Sequence, residues 1–183
     1  MNKKVFVLNG VGTSGKGEFV NRLNRYIPTC GYSIVDLPKQ AAKLLGWDGG
    51  KTEKDRKFLS DILDLSCGYN DAPFKDVSSI VSDFNNNFIE AYILVIDMRD
   101  PKDIARAVDA FGAETILVRN PNVTKIESNH ADRDVENYNY DYIIENDGTL
   151  EQLDEVAKIF TCDVIRSEKK TTDKPLTFVC SNY

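Results

Sequence analysis

Apolar positions along the chain come in two rhythms, and the places where one gives way to the other mark the elements. Val5, Phe6, Val7 and Leu8 are apolar without alternation, so residues 3–8 are expected to form a parallel-type strand buried on both faces. A glycine-dense loop stops this run. From Gly15 onward Phe19, Val20, Leu23 and Ile27 fall on one helical stripe, with Pro28 and Gly31 expected to end the helix. Residues 32–37 read as a second strand. Pro38 opens a short helix carrying Ala41, Ala42, Leu44 and Leu45, closed by Gly46. After a loop at 47–50, Thr52 can cap a helix whose inner face holds Phe58, Leu59, Ile62, Leu63 and Leu65 and which breaks over residues 67–73. Val77, Ile80, Val81, Phe84 and Phe88 mark the helix after that.

Residues 91–96 form the most apolar run and predict a central strand ending in Asp97. Asp100 and Pro101 suit the cap and first turn of a helix bearing Ile104, Ala105, Val108 and Phe111. Residues 114–119 and 142–144 predict two further strands. Thr149 and Gln152 spell a capping box ahead of a helix with Leu150, Leu153, Val156, Ala157 and Phe160. Residues 120–140 are polar and aperiodic, as a lid or long loop would be. Residues 162–165 read as an edge strand, and 166–183 as a polar, loosely held tail. Strands alternating with helices predict a doubly wound α/β fold: a mostly parallel five-stranded sheet with helices on both faces, in one domain over residues 1–165. In such a sheet ligands sit beyond the carboxyl ends of the strands, where Gly10, Asp36 and Asp97 all fall.

Composition narrows the function more than the fold. The chain has 183 residues and a net charge of −6, which argues against a nucleic-acid polymer as partner because backbone phosphates call for a basic face. No run is long enough for a membrane span or a signal-peptide core, and the four cysteines show no C-x-x-C pairing. A cytoplasmic protein with reduced thiols is expected.

The chemistry is concentrated in the first turn. Gly10, Gly15 and Lys16 fit the first seven positions of the phosphate-binding loop G-x-x-x-x-G-K-[ST]. Glycine lets successive backbone N–H groups point at a phosphate chain, the following helix N-terminus adds a positive end, and Lys16 supplies a point charge. Gly10, Gly12 and Gly15 also spell G-x-G-x-x-G, with Asp36 about 20 residues on where a ribose-binding acid would stand. Lys16 favours the phosphate loop, since a dinucleotide turn needs no cation there. Gly17 departs from the pattern: it stands where Ser or Thr would ligate magnesium. Asp97, after an apolar strand, fits a magnesium-orienting carboxylate, and Arg99 two residues on could bind an acceptor phosphate. The absence of N-K-x-D argues against a GTPase switch. Trp47, the only tryptophan, could line an acceptor pocket or pack under the helices. His130, the only histidine, has no evident acid–base or metal partner set.

With these residues in place, most of residues 3–160 resembles the nucleoside-monophosphate-kinase-like P-loop proteins, especially the deoxynucleoside monophosphate kinase family. The landmarks are residues 10–18, Asp36-Leu37-Pro38-Lys39, Leu45-Gly46-Trp47-Asp48-Gly49, the helix over 54–65 and Asp97-Met98-Arg99. Val118-Arg119-Asn120-Pro121, His130-Ala131-Asp132-Arg133 and Glu145-Asn146-Asp147-Gly148 follow in order. The resemblance implies a P-loop NTPase sheet of the nucleotide-kinase type, with ATP and Mg2+ as cofactors and small nucleotides as substrates. ATP would be held by Gly10, Gly12, Thr13, Ser14, Gly15, Lys16, Gly17 and Glu18. The acceptor would meet Asp36, Lys39, Trp47, Arg56 and Arg99. Lys16, Asp97, Arg99, Arg119 and Arg133 would carry the transfer, Arg119 and Arg133 from a lid, with Asp97 toward the metal. Two departures, Gly17 and the Glu18 that follows it where related loops often carry threonine, leave open a nucleotide-binding sensor without catalysis. A kinase for another phosphorylated acceptor, such as dephospho-coenzyme A, also stays open.

Overall fold

In the computed structural model, which describes residues 2–123, 135–165 and 175–180, six short strands lie side by side in one all-parallel sheet. They are β1 (Lys4–Asn9), β2 (Thr29–Ser33), β3 (Ile93–Asp97), β4 (Glu114–Arg119), β5 (Tyr142–Glu145) and β6 (Leu176–Val179), in the order β2-β3-β1-β4-β5-β6. The helices between them are α1 (Lys16–Tyr26), α2 (Asp36–Leu44), α3 (Glu53–Asn70), α4 (Ala72–Asn85), α5 (Pro101–Phe111) and α6 (Leu150–Phe160). The predicted doubly wound class stands, with a sixth strand added.

The strands are apolar on both faces because both faces are covered. Phe6, Leu8, Ile93, Val95, Ile116, Val118, Tyr142 and Ile144 point to one side, where they pack with Phe19, Leu23 and Ile27 near α1 and Leu153, Val156, Ala157 and Phe160 of α6. Val7, Leu94, Ile96 and Leu117, offset by one position, point to the other and meet Val77, Val81 and Phe84 of α4 and Ile104 and Ala107 of α5. The expected capping box forms at Thr149 with Gln152, the expected cap Thr52 forms a second box with Asp55, and Asp100 caps α5 by accepting the Lys102 N–H at 2.7 Å.

Several expectations shift. Residues 32–37 are not a strand. β2 begins at Thr29, takes in Gly31, which therefore does not end the preceding helix, and stops at Ser33. Asp36 then opens α2, with Oδ2 accepting the Ser33 N–H at 2.9 Å to close the turn. No residue of α3 is fully buried: Phe58, Leu59, Ile62 and Leu63 of its expected inner face are half-buried, whereas Leu65 is 73% exposed and lies off that face. Phe88 is 78% exposed because α4 ends at Asn85 and Asn87 turns into the left-handed region (φ 63°), which takes Phe88 out of helical phase. On α5 the buried alanine is Ala107, while Ala105 faces solvent. Residues 162–165 are not an edge strand: Thr161–Ile165 continue α6 as a π-helical turn. The edge strand is instead β6, drawn from what reads as tail. Its Phe178 is buried against Phe160, and the row of β5 hydrogen-bonding groups takes it as a parallel partner.

Asp154 ties α6 to α1. Its Oδ2 accepts the Tyr26 hydroxyl at 2.6 Å and its Oδ1 the guanidinium N–H groups of Arg25 at 3.1 Å and Arg22 at 3.4 Å. The Tyr26 bond first, and then the arginines, hold this carboxyl below its ordinary range. A depressed folded-state pKa contributes stability above the ordinary carboxylate value and loses it as pH falls through the folded one. Asp154→Asn is therefore expected to lower Tm at pH 7, with the gap to wild type narrowing below about pH 4. Paired thermal melts at the two pH values check it, and a gap independent of pH would refute the charge-based account.

Candidate active site

The sheet order dictates where a site can form. β1 feeds α1 on one face, while its neighbour β3 feeds α5 on the other, so the chain leaves these two adjacent strands in opposite directions and a crevice opens at their carboxyl ends. Leu8 is in register with Asp97, and Ser33 with Asp97 on the far side. The loop after β1, the end of β3 and the end of β2 therefore converge.

The loop itself is shaped by close approaches. Gly10 has φ 152°, and a Cβ there would lie 2.4 Å from the Val118 carbonyl of β4. Gly15 has φ 98°, and a Cβ there would lie 2.2 Å from Nδ2 of Asn146. Only glycine fits either position. Gly15 is also the N-cap of α1 and offers no side chain to it, unlike the caps of α3, α5 and α6. The first N–H groups of α1, at Lys16, Gly17 and Glu18, have no intrahelical acceptor and look out over the loop. Helix dipole and N–H groups together favour an anion there.

Lys16 folds back across the loop, its Nζ donating to the Gly10 carbonyl at 2.5 Å and the Val11 carbonyl at 3.1 Å. Ser14 is buried, its N–H donates to the Val11 carbonyl at 3.2 Å, and its Oγ has no hydrogen-bond partner. Thr13, exposed with φ 65°, donates its hydroxyl to the Gly12 carbonyl at 2.6 Å. Gly17 faces open space, since a Cβ there would meet nothing within 4 Å. Glu18 is engaged by Arg22, with Oε1 2.6 Å from Nε, and belongs to the α1–α6 ion network.

Beside the loop lies a cavity of about 250 Å³, whose wall includes Lys16, Gly17, Tyr32, Ser33, Asp36 and Asp97. Asp97 carries a buried Oδ1 without a hydrogen-bond partner. Buried carboxylate oxygens are costly to leave unsatisfied, and a hard cation with oxygen ligands and retained waters is a fitting partner. Among the described residues no three His, Cys, Asp or Glu gather as a metal cage. Magnesium would thus be held by Asp97 together with nucleotide oxygens and water.

The other expected site residues fall in different places. Asp36 is in the cavity wall, with Lys39 paired to its Oδ1 at 2.9 Å. Trp47 and Arg56 are not in the wall. The Trp47 indole N–H donates to the Gly50 carbonyl at 3.2 Å and the Arg56 Nε–H to the Lys51 carbonyl at 3.3 Å, so both brace the loop between α2 and α3. Arg99 is half-buried on the rim past β3. Arg119, at the end of β4, is held by Glu145 at 2.6 Å, with Glu136 Oε1 3.8 Å from its Nε. Arg133 and His130 lie outside the described residues, as does most of the expected lid.

Two residues went unassigned in sequence. Asn146, just past β5, donates from Nδ2 to the Ser14 carbonyl at 2.9 Å and clamps the loop from above Gly15. Asn9 is fully buried at the end of β1 and accepts the Gly10 N–H at 2.7 Å. The signal for Asn9 was present: an amide closing an otherwise apolar strand.

The fold is thus a doubly wound parallel α/β sheet with a glycine-rich loop and an uncapped helix at its switch point. No protein family's sequence profile matches the chain, and none of the curated proteins matches it. Some solved structures are similar to the chain at low identity. Thymidylate kinase from Ehrlichia chaffeensis is similar at 12% identity and TM-score 0.45, over 87% of this chain and 100% of that one. Shikimate kinase from Aquifex aeolicus is similar at 12% identity and TM-score 0.44, over 89% and 99%. APS kinase from Mycobacterium tuberculosis is similar at 17% identity and TM-score 0.43, over 91% and 99%. Likenesses this distant carry no functional weight, and the residues above bear it alone. No helix among the described residues is long and apolar enough to cross a membrane.

Proposed function

We propose that the chain is an ATP-dependent P-loop phosphotransferase that moves the γ-phosphoryl group to a small phosphorylated acceptor, a (deoxy)nucleoside monophosphate. The observation that carries this reading is the meeting, at one switch point, of the Gly10–Lys16 loop with a cavity walled by Asp36 and Asp97. Phosphoryl transfer asks a protein mainly to align two groups and to offset charge on the moving phosphoryl. The loop N–H groups and the α1 N-terminus bind the phosphate chain, and Lys16 leaves its two loop carbonyls to meet the outer phosphates. Asp97 would hold magnesium, which when bound would neutralise phosphate charge. Ser33 and Asp36 border the acceptor space, while Arg99 and Arg119 stand at strand ends where a second phosphate can approach.

Incubation with ATP, magnesium and a panel of nucleoside monophosphates, with dephospho-coenzyme A included, tests the reading. Acceptor-dependent ADP with a monophosphate is expected; its absence across the panel would sink the assignment. A second reading comes from Gly17, which offers no hydroxyl to a metal: the chain binds nucleotide without transfer. Tight ATP binding in calorimetry together with silence on the whole panel would establish that alternative.

A further inference from the structure

Two parts of the proposed site, the phosphate loop and the Arg99 rim, meet at one buried amide. Asn9 Oδ1 accepts the Gly10 N–H at 2.7 Å, at the root of the phosphate loop. Its Nδ2 donates to the Tyr140 hydroxyl at 2.7 Å and to the Arg99 carbonyl at 3.3 Å, on the rim past β3. The Tyr140 hydroxyl, having accepted that bond, spends its own proton on the Val135 carbonyl at 2.6 Å. Tyr140 is 4% exposed, and burial pushes its phenol up to about 12, so it stays a neutral donor throughout the working range.

Every strong donor in this network is used, and each bond has one possible direction. An ionised phenol could not serve Val135, and a reversed amide would set two acceptors face to face at Arg99 and two donors at Gly10. Asn9 pairs with Leu117 across the sheet, at a position where an aliphatic side chain would need no partners at all. A buried amide there is tolerated only because its hydrogen bonds are complete, and a complete buried network specifies one arrangement. What it specifies is the placement of Gly10 relative to Arg99, that is, of the donor site relative to the acceptor rim.

We propose that Asn9 and Tyr140 form a positioning pair that holds the phosphate loop and the Arg99 rim in register, so that transfer depends on the pair more than the binding of ATP does. The inference rests on the phosphotransferase reading. ATP binding draws on the loop N–H groups and Lys16, which Asn9 meets only at Gly10. Transfer needs donor and acceptor aligned, and a misplacement of about 1 Å can cost on the order of 100-fold.

The test uses the full chain and its Tyr140→Phe variant, which keeps the ring and its packing on Tyr138 and removes one hydroxyl. ATP affinity is measured by calorimetry, and kcat and KM are measured for ATP and for the acceptor found in the panel. A fall in kcat of about 10-fold or more, with ATP affinity within about three-fold, is expected. Asn9→Asp keeps the acceptor for Gly10 but has no N–H for Tyr140 or Arg99, and should lower kcat at least as far. The double variant should be no worse than Asn9→Asp alone, because both changes cut one network, whereas independent structural damage would add. Unchanged kcat in Tyr140→Phe, an equal loss of ATP affinity, or additive losses would overturn the pair's role while leaving the phosphotransferase reading intact. A wild type that transfers to no acceptor would overturn both.

Discussion

Lys16→Ala is expected to remove nearly all phosphoryl transfer, lowering kcat/KM by about 100- to 1,000-fold, the range found when one preorganised charge-stabilising donor is deleted. Among the described residues, Lys16 is the only cation in the wall of the cavity beside the loop. It stands on the first residue of α1, so its backbone is fixed by the helix while its ammonium is free to exchange partners. The bonds it now makes, to the Gly10 and Val11 carbonyls, are ones a phosphate oxygen can outcompete, because a charged acceptor strengthens the bond. Alanine at that helix position costs little in helix propensity, and the lost carbonyl contacts are worth about 1 kcal/mol each. Tm should thus fall by only a few degrees, roughly 2–4 °C per kcal/mol for a chain of this size. The check is steady-state turnover alongside a thermal melt. Turnover at the wild-type level would strip Lys16 of its role, and collapse of the melt would show that its carbonyl contacts are structural.

The loop was legible in sequence because its chemistry leaves few substitutes: glycine at two positions where backbone or side chain comes too close for a Cβ, and a lysine after them. The central strands were legible for a similar reason, since burial on both faces keeps the middles of β1, β3 and β4 continuously apolar, at residues 5–8, 93–96 and 116–118. What stayed hidden was set by distant partners. β6 exists because β5 has an edge to offer, which nothing in Leu176–Val179 announces. Asn146 stood in a recognisable stretch, Glu145-Asn146-Asp147-Gly148, yet its function as a clamp depends on a loop more than a hundred residues away. Trp47 and Arg56 are the converse: residue types suited to an acceptor site whose nearest free acceptors are carbonyls of their own loop. Local pattern records what a residue can do, and the fold chooses which of its offers is taken.

Phe160 and Phe88 put that distinction to measurement, since both sit on apolar helical stripes in the sequence. Phe160 is fully buried and makes edge-on contacts with the rings of Phe6, Phe19, Tyr142 and Phe178, at centroid distances of 5.7, 5.7, 5.3 and 5.4 Å. It therefore joins β1, α1, β5 and β6, and each ring pair adds about 0.5–1.5 kcal/mol beyond the area it buries. Phe160→Ala leaves a cavity between these elements and is expected to cost about 3–5 kcal/mol. Against a total stability of about 5–15 kcal/mol that is a large share. Tm should drop by roughly 6–20 °C at about 2–4 °C per kcal/mol. Phe160→Leu, closer in volume, should cost less because much of the space stays filled. Phe88→Ala removes a ring that is 78% exposed past the end of α4, and should stay within about 0.5 kcal/mol of wild type. Chemical or thermal denaturation of the three variants decides it. Equal losses at positions 88 and 160 would mean that the stripe continues past Asn85 and that the left-handed turn at Asn87 is misplaced. A mild loss at 160 alone would mean that the five-ring cluster is not the centre of the core.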